Sequence, residues 1–229
     1  MTQIFQNAIQ LVFSFDKEVI EIALLSIRVS LTAAFVSSLV AIPVAMVIAM
    51  NDFPGKSAIL LFINSFLSIP AVAIGLILYL MFTRQGLFGF LRLLYTPGAM
   101  IVAQAILVFP IITSLTIAAI DGIRKSLIDT AVTLGANSWQ LTWTIFKEAR
   151  YPMMASFIMG FSRIIGETGM TMMVGGNIKG STRVMTTAIA LQTMRGEFEL
   201  GIALAIILLV VSLILNLFLQ FLQGVGVRR

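Results

Sequence analysis

Cysteine and histidine are both missing from this chain. Without cysteine there is no disulfide framework and no thiolate metal site. Without histidine, Ser–His catalysis, His-ligated haem and most zinc chemistry are excluded. A membrane enzyme would have to work with carboxylates alone. Charge is scarce as well: 11% of the residues are charged, where a soluble domain carries about a quarter. What is present is apolar, 59% of 229 residues, with a mean hydropathy of +1.03. A water-soluble fold of this size could not hide so much apolar surface, so the missing solvent is lipid. The net charge of +5 fits basic loops beside a bilayer. It identifies no ligand and gives no sign of a nucleic-acid partner.

About five stretches are long enough to cross roughly 30 Å of hydrocarbon: residues 19–50, 57–82, 97–120, 152–174 and 198–222. Only helices and closed barrels span lipid. These runs are continuous rather than alternating, so an all-α polytopic membrane protein is expected. Pro43, Pro70 and Pro110 fall inside the first three stretches. Each removes a backbone donor and reads either as an ordinary kink or as a hinge along a pathway. Residues 1–18 differ. Phe5, Ala8, Ile9, Val12 and Phe13 share a helical face opposite Gln6, Asn7 and Gln10, which makes a short amphipathic segment suited to the membrane surface. The start lacks the basic region and cleavage site of a signal peptide. With five spans the ends lie on opposite sides. Lys56, Arg124, Lys125, Lys147, Arg150, Arg228 and Arg229 on one side barely outnumber Lys17, Arg84, Arg92, Lys179, Arg183 and Arg195 on the other. The positive-inside rule then puts the N-terminus outside and the C-terminus in the cytoplasm.

The longest hydrophilic stretch, residues 121–151, is patterned rather than linker-like. Leu127, Ala131 and Leu134 share one helical face, Gly135 supplies a break, and Asn137 or Ser138 can cap a second helix. Trp139, Trp143 and Phe146 form a second apolar stripe. Two short amphipathic helices with a bend between them are expected, close to the membrane; taken alone they read as a hairpin with its tryptophans among the headgroups. Further on, Arg163 and Glu167 stand one helical turn apart inside the fourth stretch. Charge there is costly, about 2.5–3.5 kcal/mol at the bilayer centre. The pair reads either as a salt bridge fixing the helix or as a pathway or gate element. Gly175, Gly176, Asn177 and Gly180 suit a turn leaving the membrane better than an anion cradle, although both need glycine. Gly55-Lys56-Ser57 is no nucleotide loop, because Met50 stands where the motif needs its first glycine.

A family resemblance rests on these residues. Asp129-Thr130-Ala131, three residues, Gly135, nine residues and Ile145 resemble the E-A-A-x3-G-x9-I loop of importer-type ABC permeases; Asp129 replaces the usual Glu, and Lys147-Glu148 stands where the family carries Leu-Pro. Arg163-Ile164-Ile165-Gly166-Glu167 resembles the R-x-x-G-E segment of oxyanion permeases for molybdate, tungstate, sulfate and phosphate, and the run from Met172 to Asn177 looks most like tungstate permeases. The resemblance implies a type I ABC importer permease bundle of about five transmembrane helices over residues 19–229, with a cytoplasmic coupling loop at 121–151. It implies ATPase coupling through Asp129, Ala131, Gly135 and Ile145, and a candidate pathway or gate at Arg163 and Glu167. It also implies a homodimer in a prokaryotic cytoplasmic membrane, partnered by a cytoplasmic ABC ATPase and an extracytoplasmic binding protein. No cofactor is then expected on this chain, ATP being held by the partner. The rival reading is a secondary transporter or channel without an ATPase, for which one carboxylate inside a span is thin; a membrane enzyme is more distant.

Overall fold

The computed structural model describes the backbone of residues 2–133 and 135–227, and the side chains of 3–123, 135–137 and 139–222. The described residues form helices joined by short turns: α1 (Thr2–Phe13), α2 (Lys17–Met50), α3 (Lys56–Phe66), α4 (Ala71–Phe82), α5 (Pro97–Thr133), α6 (Ser138–Ile165), α7 (Gly169–Gly175), α8 (Met185–Arg195) and α9 (Phe198–Val227), with one 3-10 turn at Gly89–Leu91.

α2 begins where Asp16 caps it, its carboxylate accepting from the amides of Glu18 and Val19 at 2.9 and 3.2 Å. Its inner face is a stripe of small residues, among them Ser30, Ala33, Ala34, Ser37, Ala41 and Ala45, all buried, and α5 is the helix it packs on most extensively. Lipid tails are as apolar as leucine, so helices in a bilayer gain from close van der Waals contact rather than from apolar burial. Small residues permit that contact. The opposite face, with Phe35, Leu39 and Val47, is exposed and meets hydrocarbon. α9 is the most peripheral span, with Leu209, Leu213 and Leu217 outward, and α1 packs on it. Ala8 is fully buried there, and the Asn7 amide donates to Glu199 at 2.7 Å. The polar face expected of α1 is therefore partly engaged by protein.

Two of the five expected spans are not single helices. Among the described residues three helices, Lys17–Met50, Pro97–Ile123 and Phe198–Leu222, are long and apolar enough to cross a membrane alone. The second stretch is a pair, α3 and α4, bent by 92° at residues 67–70. The fourth is split by residues 166–168 into the end of α6 and α7. Contacts still carry both between opposite ends of the bundle. Ile63 of α3 packs with Ile48, Ile120 and Ile145, whereas Phe82 at the end of α4 lies against Phe88 in the following turn. At that same end the Tyr95 amide donates to the Val174 carbonyl at 2.9 Å, which fixes the far end of α7. Pro43 and Pro110 lie inside unbroken α2 and α5. Pro70 alone of the three marks a break, standing at the cap of α4 where its missing N–H leaves no gap in a helix.

The two short helices expected in 121–151 are instead the ends of long ones. α5 runs on to Thr133, and α6 passes through Pro152 up to Ile165. The reason is local: between Pro110 and Thr133 only Gly122 weakens the helix, and no residue stops it.

Candidate functional site

The bend between α5 and α6 turns at Gly135, whose φ of +77° lies in the left-handed region that glycine enters without strain. Asn137 then caps α6. Its side chain accepts from the Gln140 amide at 2.8 Å, while the Gln140 side chain accepts from the Asn137 amide at 3.0 Å, a reciprocal box. Beyond the cap α6 is two-faced. Ile145 and Ala149 are fully buried against Ala45, Ile48 and Ile120. Trp139, Trp143 and Phe146 point outward, the last two stacked 5.7 Å apart, and the Lys147 ammonium lies 5.3 Å from the Trp143 ring. Ile145 thus ties the start of α6 to α2 and α5, and the exposed surface beside the bend belongs to the aromatic residues. The side chains of Asp129 and Ala131 lie outside the described residues. Lys56, one of the basic residues assigned to this end, is held by Asp52 at 3.2 Å and by the Asn51 carbonyl at 3.1 Å.

The second constellation forms where the two broken spans meet. A methyl group added at Gly169 would come within 2.6 Å of Val72 Cγ2, and one added at Gly75 within 2.9 Å of the Met170 Cα. The start of α7 therefore lies directly on the start of α4, break against break. A broken helix inside a membrane frees carbonyls that lipid cannot satisfy. Here protein satisfies at least two. The Ile164 carbonyl accepts from the Glu167 amide at 3.1 Å and from buried Gln104 at 3.4 Å. The Glu167 carbonyl accepts from the Thr186 hydroxyl at 3.0 Å.

Arg163 and Glu167 do pair, at 3.1 Å. They do not share one helix as expected, because α6 has already ended and Glu167 stands in the gap before α7. Its second oxygen accepts from the Met170 amide at 3.4 Å. The Glu167 carboxylate is one-tenth exposed, the Arg163 side chain about half. The carboxylate is thus locked into the junction, and the guanidinium reaches out of it.

The glycine-rich run after α7 is a closed turn. Gly176 caps α7, and the amides of Ile178, Ser181, Thr182 and Arg183 all donate within the segment, to the Thr182 hydroxyl or the Ile178 carbonyl. Those donors are consumed and do not cradle an anion. Sequence reasoning missed the partner that anchors this turn. Glu18 at the head of α2 reaches Lys179 at 2.7 Å and Arg183 at 3.7 Å, across 161 residues in the first case. It also missed Gln104, for which a lone amide in an apolar run was the available signal.

Three described helices long and apolar enough to cross a bilayer alone, with two broken ones meeting at a partly buried charge pair and an aromatic elbow at one end, fit a membrane transport protein. The sequence matches the model of the binding-protein-dependent transport system inner membrane component over residues 41–228, and the chain belongs to that family. It is 38% identical over 219 residues to the tungstate uptake system permease protein of Peptoclostridium acidaminophilum, covering 96% of each chain. It is 34% identical to the protein of the same name from Campylobacter jejuni, over 93% of this chain and 89% of the other. To the molybdenum transport system permease protein of Haemophilus influenzae it is 31% identical, over 84% and 89%. The chain is accordingly a multi-pass permease subunit of an ABC importer in the inner membrane, a transport component, and its family works with an ATPase and a binding protein. The rival without an ATPase is not favoured.

Proposed function

We propose that this permease carries tungstate inward, with molybdate as the next candidate, after a soluble binding protein delivers the ion. The support is the high coverage and identity to permeases named for tungstate uptake, together with the Arg163–Glu167 junction. Tungstate and molybdate are tetrahedral dianions of closely similar shape, so the permease has little by which to separate them, and selectivity resides in the binding protein. Two copies of the chain form the pathway. The half-exposed Arg163 supports this: a guanidinium within a span must face a second copy or water, not lipid.

ATP is bound and hydrolysed on a separate cytoplasmic subunit, and this chain carries no cofactor. The elbow at Gly135, with Asp129 and Ala131 before it and the first turn of α6 after it, docks on that subunit. Ile145 acts from behind, holding the docking surface to α2 and α5. Closure of the ATPase pair then moves α5 and α6 as levers, because both helices run unbroken from the elbow into the bilayer. Residues 19–229 act as one permease unit with residues 1–18 as a peripheral segment.

The test is uptake in cells lacking this gene, at trace tungstate with sulfate in excess. Lost tungstate accumulation, restored by the gene, is the expected result. Unchanged tungstate accumulation with lost uptake of another solute would refute the substrate and leave the importer class standing.

A further inference from the structure

A groove of about 440 Å³ opens on the outer surface of the bundle between α2, α6 and α9. Phe35, Leu39, Ile42, Met154, Phe157 and Phe218 wall it. Its one polar uncharged lining group, the Ser38 hydroxyl, is turned back onto the Ala34 carbonyl at 2.7 Å, so the wall offers hydrocarbon alone. Among the described residues lining it, one is ionisable: Arg150, at the end next to Phe146.

We propose that this groove holds one anionic phospholipid, an acyl chain against α2 and α6 and the headgroup phosphate on Arg150. Three observations fit together. The groove follows α6 from Phe146 to Ile158, which at 1.5 Å per residue is about 18 Å, close to one leaflet of a hydrocarbon core of about 30 Å. Its charged end is the interfacial end, since Trp143, Phe146 and Lys147 cluster one turn away in the manner of headgroup-level anchors. Arg150 is also available. It stacks on Tyr151 at 4.6 Å and donates to the Lys147 carbonyl at 2.8 Å, which orients it, and no carboxylate among the described residues pairs with it. A guanidinium so placed matches a phosphate with the donors left over. The lipid would bridge α2, α6 and α9 on the cytoplasmic side, beside the lever that carries the coupling elbow.

The test uses the assembled transporter with wild-type, Arg150→Gln, Arg150→Lys or Met154→Trp permease. Each is equilibrated in vesicles of phosphatidylcholine mixed with phosphatidylglycerol, then released into mild detergent for native mass spectrometry. Wild type should retain phosphatidylglycerol in preference to phosphatidylcholine by about fivefold, the effect of one interfacial cation. Arg150→Gln should lose that preference and Arg150→Lys should keep it. Met154→Trp, which fills the groove, should lose retained lipid of both kinds. Equal preference in wild type and Arg150→Gln would overturn the headgroup assignment. Undiminished lipid on Met154→Trp would overturn the groove. Cross-linking of two permease copies through Leu39→Cys would give the surface to a second copy and refute the lipid.

Discussion

Replacing Gly75 by alanine puts a methyl group 2.9 Å from the Met170 Cα, closer than side-chain carbons stand to a neighbouring backbone. Two effects oppose. Alanine in a helix interior gains about 0.5–1 kcal/mol over glycine. Overpacking a close contact costs about 1–3 kcal/mol, with the upper part of that range fitting here because the obstacle is backbone and cannot rotate away. The cost wins, and Gly75→Ala should lose about 1–2 kcal/mol of stability. The strain falls where the two broken spans touch, so transport should fall further than stability does. Gly166→Ala is the control, since a methyl there meets nothing within 4 Å. Thermal unfolding in nanodiscs and uptake in vesicles, measured on both variants, decide the matter. A Gly75→Ala permease as stable and active as wild type would show that α4 and α7 do not meet as described.

The Arg163–Glu167 pair gives a cycle: Arg163→Ala should be the most damaging change, and Arg163→Ala with Glu167→Ala milder, because the double variant leaves no orphaned carboxylate; with Arg163 half exposed, the single change should cost about 1–2 kcal/mol rather than the 3–5 of a fully buried pair. A double variant as unstable as the single in thermal unfolding would refute pairing as their main role. Gly135→Leu forces a left-handed φ of +77° on a branched side chain at about 1–2 kcal/mol; it should leave the permease in the membrane, weaken ATPase co-purification and abolish uptake, and normal uptake would reject the elbow. The absence of native cysteine permits a clean topology assay. Glu148→Cys should react with an impermeant thiol reagent only in inside-out vesicles and Arg84→Cys only in whole cells, and the reverse pattern would invert the orientation.

The unbroken spans were legible because lipid-facing helices are apolar all round, and α2, α5 and α9 announce themselves by composition. The breaks were not. Pro43, Pro70 and Pro110 look alike in sequence, yet only Pro70 sits where α4 can start afresh against α7, and that depends on a contact with Met170 some hundred residues away. At the elbow, Gly135 and Asn137 were readable from turn and cap chemistry, which is local. The packing role of Ile145 was not, because its burial against Ile48 and Ile120 is tertiary. Arg163 and Glu167 were found by their rarity in an apolar stretch, although their spacing suggested one helix where the chain has a gap. The pairing of Glu18 with Lys179 and Arg183 was not legible, since nothing in the sequence links the head of α2 to a turn so far along the chain.

The proposed role of this chain is that of the membrane path of an ATP-driven, binding-protein-dependent tungstate importer. The measurement that meets it most directly is accumulation of tungstate in vesicles reconstituted with this permease and its ATPase. ATP is trapped inside and the tungstate-loaded binding protein is added outside, with ATP hydrolysis followed in parallel. Accumulation and accelerated hydrolysis are expected only when all components are present. Tungstate entry into vesicles holding this chain alone, driven by an ion gradient and indifferent to ATP, would contradict the claim.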